Sequence, residues 1–118
     1  MKVVITGGAG FIGANLVRTL VRRTDIDEII VIDDLSFGFR SNLDGLEVTF
    51  IEGSILNEDL LRTAIAGAST VVHLAARSSV PRSIAYPLAT HEDNATGTAL
   101  VLEAARSAGD VQVIVASS

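Results

Sequence analysis

A run of glycines directly after a short apolar segment limits what this chain can fold into more than any other feature of the sequence. Gly7, Gly10 and Gly13 follow the apolar run Val3–Thr6 at intervals of three residues, and a helical pattern follows them. Strand, glycine-rich turn and helix in this order are typical of a dinucleotide-binding βαβ unit. Gly7 allows a sharp turn off the strand, Gly10 lets backbone amides approach a pyrophosphate, and Gly13 lets the helix pack closely. We therefore predict that a dinucleotide places its pyrophosphate at the positive N-terminus of this helix.

The rest of the chain alternates apolar, strand-like runs with helical periods. Helical spacing covers residues 10–23 and 92–108, and a further helix begins after the N-cap Asn57 and ends at Gly67. Apolar strands separated by helices are typical of a parallel sheet covered on both faces, and right-handed crossovers favour the strand order 3-2-1-4-5. We predict one α/β domain over residues 1–118, a Rossmann-type doubly wound parallel sheet. Its five strands are Val3–Thr6, Glu28–Asp33, Val48–Ile51, Thr70–Leu74 and Val111–Val115.

Composition excludes several other classes of protein. The net charge of −5 argues against nucleic acid as a partner, because nucleic-acid binding requires a basic surface. The absence of cysteine removes disulfides, thiolate metal sites and cysteine nucleophiles, and two histidines are too few for a metal cluster. No apolar run approaches the roughly 18 residues of a membrane span, and the N-terminus lacks the layout of a signal peptide. We expect a cytoplasmic protein that binds no metal, no nucleic acid and no membrane.

The second predicted strand ends on a carboxylate that suits an adenine ribose. Asp33 closes the run Glu28–Asp33 and lies about 20 residues after Gly13, the separation found in dinucleotide-binding units. A carboxylate at this position accepts hydrogen bonds from the ribose hydroxyls and repels the 2′-phosphate of NADP. The sequence therefore predicts NAD as the cofactor. The alternative is that Asp33 and Asp34 only cap the following turn.

Several short motifs, taken in order along the chain, resemble one known family. They are Thr6-Gly7-Gly8-Ala9-Gly10-Phe11-Ile12-Gly13, Asp33-Asp34-Leu35-Ser36, His73-Leu74-Ala75-Ala76, Asn94-x-x-Gly97-Thr98 and Ser117-Ser118. Together they resemble the extended short-chain dehydrogenase/reductase family of NAD-dependent sugar-nucleotide epimerases and dehydratases. The resemblance covers the whole chain. Its motifs are specific to the family and do not fix the substrate.

The resemblance implies roles for individual residues. Ser54 stands where the family usually has an aspartate that reaches the adenine amino group, so this chain departs from the pattern there. Ser78 and Ser79 fall where the family's loop meets the substrate. Ser118 aligns with the serine or threonine that hydrogen-bonds the reacting sugar hydroxyl, and Asn94 with an asparagine that orders water and backbone beside the active site. The residues implied to bind NAD are Gly7, Gly10, Phe11, Ile12, Gly13, Asp33, Asp34, Ser36, Ser54, Ile55, Leu74, Ala75, Ala76 and Asn94.

The resemblance also implies a reaction for which this chain lacks some groups. Family members oxidise a sugar hydroxyl by hydride transfer to bound NAD, with a Tyr-x-x-x-Lys pair supplying the base. Tyr86 is the only tyrosine, position 90 is Thr90, and Lys2 is the only lysine, so the pair is missing. We expect a truncated, NAD(H)-binding half of a nucleotide-sugar 4-epimerase that is inactive alone. The alternatives are a stand-alone NAD(H)-binding module, and the cofactor half of a related nucleotide-sugar dehydratase, decarboxylase or reductase.

Two further expectations concern His73 and the helix 92–108. His73 ends an apolar strand, which favours a packed, hydrogen-bonded core histidine over a general base.

The helix 92–108 is apolar over much of its circumference, so we expect burial on more than one side and predict self-association through this helix and the strand 111–116. One apolar face comprises Leu100, Ala104 and Ala108, and another Ala95, Ala99, Leu102 and Ala105.

Overall fold

Five parallel strands form the centre of the computed structural model, which describes residues 1–77 and 79–117. Their order is β3-β2-β1-β4-β5, so the predicted Rossmann-type arrangement and strand order are confirmed. All four strand pairs are parallel. The strands are β1 Lys2–Thr6, β2 Glu28–Asp33, β3 Thr49–Glu52, β4 Thr70–His73 and β5 Gln112–Val115. The helices are α1 Phe11–Leu20, α2 Glu58–Ile65, α3 Val80–Ala85, α4 Pro87–His91 and α5 Gly97–Ser107, with a short 3₁₀ turn at Arg40–Leu43 and a π-helical turn at Glu92–Thr96.

Alternate residues of the central strands supply two separate cores, one on each face of the sheet. On one face Val4 and Val71 pack with Leu61 of α2 and Val101 of α5. On the other face the neighbouring residues of β1 and β2 pack with Val17 of α1. Because both faces are covered, every position of β1 and β2 except the first of each strand is buried. The sheet therefore holds the carboxyl ends of its strands in fixed positions.

The ends of α1 and α2 follow from local chemistry. The chain enters α1 through Gly10, which has extended dihedrals and provides no side-chain cap, and the helix ends at Leu20, before the predicted residue 23. Asn57 caps α2 as predicted, because its side chain accepts a hydrogen bond from the Leu60 amide at 3.1 Å. Gly67 follows α2 with φ +77°, the left-handed conformation expected after a helix.

The predicted start of the helix 92–108 is wrong. The helical backbone begins at Pro87, passes through the π-helical turn and continues as α5 to Ser107. Proline suits a first helical turn, but the extra residue of the π turn interrupts the 3.6-residue period, so the sequence pattern is regular only from Gly97 onwards. The preceding helix α3 was not predicted at all.

The two predicted apolar faces of α5 are covered differently: Leu100, Ala104 and Ala108 pack against the core, whereas Leu102 of the other face does not. Val101 and Ala105 are buried against the sheet, and Leu100 is half-buried against the same core. Leu102 is 47% exposed, which makes it the large apolar residue on the outer side of α5. Ile114 of β5 is also exposed. Among the described helices none is long and apolar enough to cross a membrane.

Candidate functional site

A cleft opens at the carboxyl ends of β1, β2 and β4. The chain leaves β1 towards one side of the sheet and β4 towards the other, so the cleft lies at the topological switch point where α/β proteins bind ligands. Fifteen residues line it: Gly7, Gly10, Ile32, Asp33, Asp34, Ser36, Phe37, Gly38, Gly53, Ile55, Leu74, Ala75, Ala76, Arg77 and Asp93.

The glycine loop forms one wall of the cleft, and its backbone leaves no room for side chains at two positions. Gly7 has φ +72°, and a Cβ there would lie 2.7 Å from the Ala75 amide nitrogen. A Cβ on Gly13 would overlap the Gly7 carbonyl oxygen and lie 2.6 Å from the Gly8 Cα. Gly13 therefore brings α1 against the loop itself, and Gly7 brings the loop against the opposite wall of the cleft.

The N-terminus of α1 is open to an anion. Gly10 offers no side-chain cap, and the first turn contains no acidic residue. The first amides of a helix lack intrahelical partners and lie at the positive end of its dipole. The charged side chains in the cleft are mostly acidic, and the Arg77 guanidinium is paired with Asp93. Attraction of a phosphate to this cleft therefore depends on backbone amides.

Asp33 both lines the cleft and organises its floor. One carboxylate oxygen accepts the Ala9 amide at 2.9 Å, and the other accepts the Leu35 amide at 2.8 Å. Asp34 caps the next position by accepting the Ser36 amide. The turn-capping interpretation is thus observed for both carboxylates. It leaves lone pairs free on Asp33, because each carboxylate oxygen accepts more than one hydrogen bond.

The loop after β2 is attached to the glycine loop. The Phe39 amide donates to the Ala9 carbonyl oxygen at 3.2 Å, and a Cβ on Gly38 would lie 2.5 Å from that same oxygen. This attachment carries the Phe37 ring across to the β4 side of the cleft. The guanidinium carbons of Arg82 and Arg77 lie 4.9 and 5.7 Å from the ring centroid, within cation–π range.

The segment 75–77 forms the wall opposite the glycine loop, and side-chain hydrogen bonds hold it. The Ala75 amide donates to Thr6 Oγ1 at 3.2 Å. Asn94 Oδ1 accepts the Arg77 amide at 2.7 Å, and Asn94 Nδ2 donates to the Arg77 carbonyl oxygen at 2.9 Å. Asn94 lies in the π-helical turn, so this turn is what brings an amide side chain to the cleft loop.

His73 connects the two anchors of that segment. Its ring is 3% exposed, with Nδ1 2.7 Å from Thr6 Oγ1 and Nε2 3.0 Å from Thr98 Oγ1. Burial lowers the pKa of His73 below its usual 6.5, because the charged ring loses hydration. The ring is therefore neutral at pH 7, a packed and hydrogen-bonded core histidine as the sequence predicted.

The predicted cofactor residues do not all line the cleft. Nine of them line the cleft: Gly7, Gly10, Asp33, Asp34, Ser36, Ile55, Leu74, Ala75 and Ala76. Phe11 and Ile12 project into solvent from the first turn of α1, at 84% and 70% exposure. Gly13 and Asn94 stand behind the walls and position them. Ser54 lies beside the cleft and accepts the Leu56 amide through its hydroxyl.

Of the three serines with predicted substrate or catalytic roles, Ser79 alone lies within the described residues. Ser79 caps α3 by accepting the Arg82 amide at 3.3 Å. Ser78 and Ser118 lie outside the described residues. Thr6 and Asp93 were missed, since a threonine inside an apolar strand and an aspartate in a helix carry no signal of their own. Within residues 1–77 and 79–117 there is no group of three potential metal ligands.

Sequence comparison shows which known proteins this chain is similar to. The model of a family described as NAD dependent epimerase/dehydratase matches residues 3–118. A UDP-glucose 4-epimerase from Erwinia amylovora is 36% identical, over 100% of this chain and 37% of the relative. A dTDP-glucose 4,6-dehydratase from Mycobacterium tuberculosis is 37% identical, over 92% of this chain and 34% of the relative. The two activities are thus represented at the same level of similarity.

Solved structures agree with the sequence relatives. The UDP-glucose 4-epimerase of Thermotoga maritima, solved with UDP-glucose, superposes with a TM-score of 0.91 at 34% identity, over 100% of this chain and 38% of that one. The dTDP-glucose 4,6-dehydratase of Streptomyces venezuelae, solved with NAD and TYD bound, superposes with a TM-score of 0.89 at 39% identity, over 96% and 38%. The chain spans little more than a third of the length of these relatives.

Proposed function

Because the chain belongs to the NAD dependent epimerase/dehydratase family, we propose that it is the NAD(H)-binding part of a nucleotide-sugar 4-epimerase, similar to UDP-glucose 4-epimerase. The observation that carries the proposal is the open N-terminus of α1 at the switch-point cleft, beside a glycine loop whose Gly7 and Gly13 carry no side chain. A pyrophosphate at this position accepts hydrogen bonds from the free amides of the first helical turn.

Asp33 supports NAD in preference to NADP. Its carboxylate lines the cleft at the end of β2 and retains lone pairs for the adenine-ribose hydroxyls. Its negative charge repels a 2′-phosphate in the same place. Ala75 and Ala76 present small side chains to the cleft, which suits a cofactor lying against the backbone.

Bound NAD would accept a hydride as the sugar hydroxyl is oxidised to a ketone and return it to the other face of that ketone. The residues of this chain contribute binding and orientation. The loop 7–13 places the phosphates, Asp33 fixes the adenosine end, and the segment 75–77 forms the wall that limits where the cofactor lies. Ser118 is the proposed contact to the reacting hydroxyl, and Ser78 and Ser79 the proposed contacts to the sugar nucleotide.

A comparison of cofactor preference tests the cofactor assignment. In calorimetric titrations we expect the chain to bind NAD+ at least about tenfold more tightly than NADP+, a difference of about 1.4 kcal/mol. Asp33→Asn keeps the shape and one acceptor oxygen but removes the charge, so the preference should fall towards unity. Glu47→Gln, an exposed carboxylate outside the cleft lining, is the matched control and should keep the preference. Equal binding of both dinucleotides by the unsubstituted chain would contradict the assignment.

The epimerase assignment has its own test. Without a Tyr-x-x-x-Lys pair we expect these 118 residues to show no conversion of UDP-galactose above background, because a positioned general base contributes roughly 10²–10⁴-fold. Reading the gene beyond position 118 separates the candidates. An acidic pair directly after Ser118 would indicate a dehydratase, and a downstream Tyr-x-x-x-Lys motif would exclude a stand-alone binding module.

We also propose that the chain self-associates through α5 and β5. Leu102 on the outer side of α5 and Ile114 on the edge strand are both about half exposed, and an uncovered apolar helix face beside an open strand edge favours association. Leu102→Glu should therefore shift the chain towards monomer in sedimentation velocity. Exposed Ile84→Glu on α3 serves as the control. A stable monomer at about 100 µM, well above a weak micromolar dissociation constant, would contradict the proposal.

A further inference from the structure

A continuous line of hydrogen bonds crosses the molecule behind the cleft, from β1 through the His73 ring to the π-helical turn. The Ala75 amide donates to Thr6 Oγ1, and the Leu74 amide is shared between the Thr6 hydroxyl at 3.1 Å and the Thr6 carbonyl at 3.0 Å. At the other end the Thr98 hydroxyl donates to the Asn94 carbonyl oxygen at 2.7 Å. Between the two hydroxyls lies the buried ring of His73.

The two ends of this line determine the protonation of the ring. Thr98 uses its hydroxyl proton on Asn94, so its oxygen must accept from His73, and Nε2 therefore carries the hydrogen. The Thr6 oxygen already accepts two backbone amides, so its hydroxyl proton is free to donate to Nδ1. The opposite tautomer would give Thr6 three donors for two lone pairs and leave Nε2 without a donor. Only the neutral Nε2–H tautomer satisfies every group.

The same line ends on both anchors of the cleft wall. Thr6 holds the Ala75 amide directly, while Thr98 holds the backbone of Asn94, whose side chain clamps the Arg77 amide and carbonyl. The segment 75–77 is thus fixed at its two ends by groups that the His73 ring links. Both ring nitrogens are occupied and the ring is buried, so His73 has no path to a substrate proton.

We propose that His73, as the neutral Nε2–H tautomer, is a positioning residue that couples Thr6 to Asn94 and so sets the backbone of residues 75–77 for the dinucleotide. Its part in cofactor binding rests on the proposed function, whereas the coupling of the two anchors is a property of the ligand-free chain. Amide exchange without ligand therefore tests the coupling, and NADH affinity tests its part in cofactor binding.

The test removes one hydroxyl from the line without changing the shape of the residue. Thr98→Val leaves the buried Nε2–H without the hydroxyl that accepts it and removes the hydroxyl donor to the Asn94 carbonyl. Thr98→Ser keeps the hydroxyl and is the rescue variant, and Thr63→Val, an exposed threonine on α2, is the matched control. Far-UV circular dichroism verifies that each variant is folded. Amide exchange at Ala75 and Arg77 is measured by NMR without ligand, and NADH affinity by titration.

We expect the Ala75 and Arg77 amides to exchange about three- to tenfold faster together in Thr98→Val, the change that corresponds to one buried hydrogen bond, with NADH affinity reduced by a similar factor. Thr98→Ser and Thr63→Val should match the unsubstituted chain. Nitrogen-15 spectra of the imidazole should show hydrogen on Nε2.

Three results would overturn the inference: faster exchange at Arg77 alone, unchanged exchange at both amides, or hydrogen on Nδ1. Unchanged NADH affinity with altered exchange would remove the cofactor part only. Failure of the unsubstituted chain to bind NADH would overturn the proposed function, and the exchange measurement would still decide the coupling.

Discussion

The glycine loop 7–13 and the segment 75–77 form opposite walls of one cleft, and different contacts hold them. The first wall is fixed by close packing of backbone on backbone, so that Gly7 and Gly13 have no space for a Cβ. The second wall is fixed by side-chain hydrogen bonds from Thr6 and Asn94, which come from elements far apart in the sequence. A wall made by packing tolerates no added atom, whereas a wall made by hydrogen bonds tolerates no lost donor or acceptor. The first wall should therefore respond most to added atoms and the second to removed hydrogen-bonding groups.

The largest effect is expected where packing and backbone strain act together. Gly7 and Gly45 have φ values of +72° and +77°, but a Cβ would contact Ala75 at Gly7 and nothing at Gly45. Gly45→Ala should reduce the free energy of unfolding by about 1–2 kcal/mol, the cost of the left-handed conformation. Gly7→Ala adds a clash with backbone, and the total should reach about 2–5 kcal/mol. Urea unfolding measures both. Equal losses would show that the walls do not touch as described.

The next effect tests the hydrogen-bonded wall. Thr6→Val keeps the shape of the side chain but removes the acceptor of the Ala75 amide and the donor to His73. We expect the free energy of unfolding to fall by about 1–3 kcal/mol, the cost of leaving buried polar groups unpaired. Thr6→Ser retains the hydroxyl and should recover most of that loss. If serine and valine destabilise the chain equally, the loss cannot be assigned to the hydroxyl.

A smaller effect should appear as pH dependence. Burial lowers the pKa of His73, so between the usual value of 6.5 and the lowered value the unfolded chain binds more protons than the folded chain. Stability contributed by the neutral ring is thus complete above about pH 6.5 and is lost as the pH falls through the folded pKa. Urea unfolding from about pH 7.5 to about pH 5 should show this loss in the unsubstituted chain and in His91→Gln, but less of it in His73→Gln. A profile of His73→Gln parallel to that of the unsubstituted chain would assign the dependence to other groups.

The smallest effect is expected at an ion pair remote from both walls. Arg106 and Glu103 pair on the solvent side of α5, where water screens the charges. Arg106→Gln should therefore leave NADH affinity unchanged within error. A measurable change in NADH affinity would mean that the outer surface of α5 influences the cleft in addition to the two walls.

The difference between the walls also explains what the sequence could predict. Glycine spacing after a strand, the carboxylate of Asp33 and the cap at Asn57 are local signals, because each is carried by a few consecutive residues beside the element that they end or begin. The glycines and Asp33 predicted the first wall, and the alternation of apolar strands with helices predicted the sheet order, whereas most other cleft residues were implied by the family resemblance. The second wall depends on Thr6 meeting His73 across 67 positions, and on His73 meeting Thr98 across 25. Such pairs become neighbours only once the sheet has formed.

The π-helical turn has a consequence for the phase of the helix that contains it. Each helical residue advances the side-chain direction by about 100°, so one additional residue per turn puts Pro87–His91 and Gly97–Ser107 about 100° out of step while their backbone remains continuous. Asn94 lies inside the π-helical turn, so the direction of its side chain follows the phase of neither flanking helix alone. Deleting one residue between Glu92 and Thr96 would restore a regular helix and rotate α4 by the same angle relative to α5. The turn thus lets α5 keep its packing on the sheet while Asn94 reaches the backbone of Arg77 at the cleft.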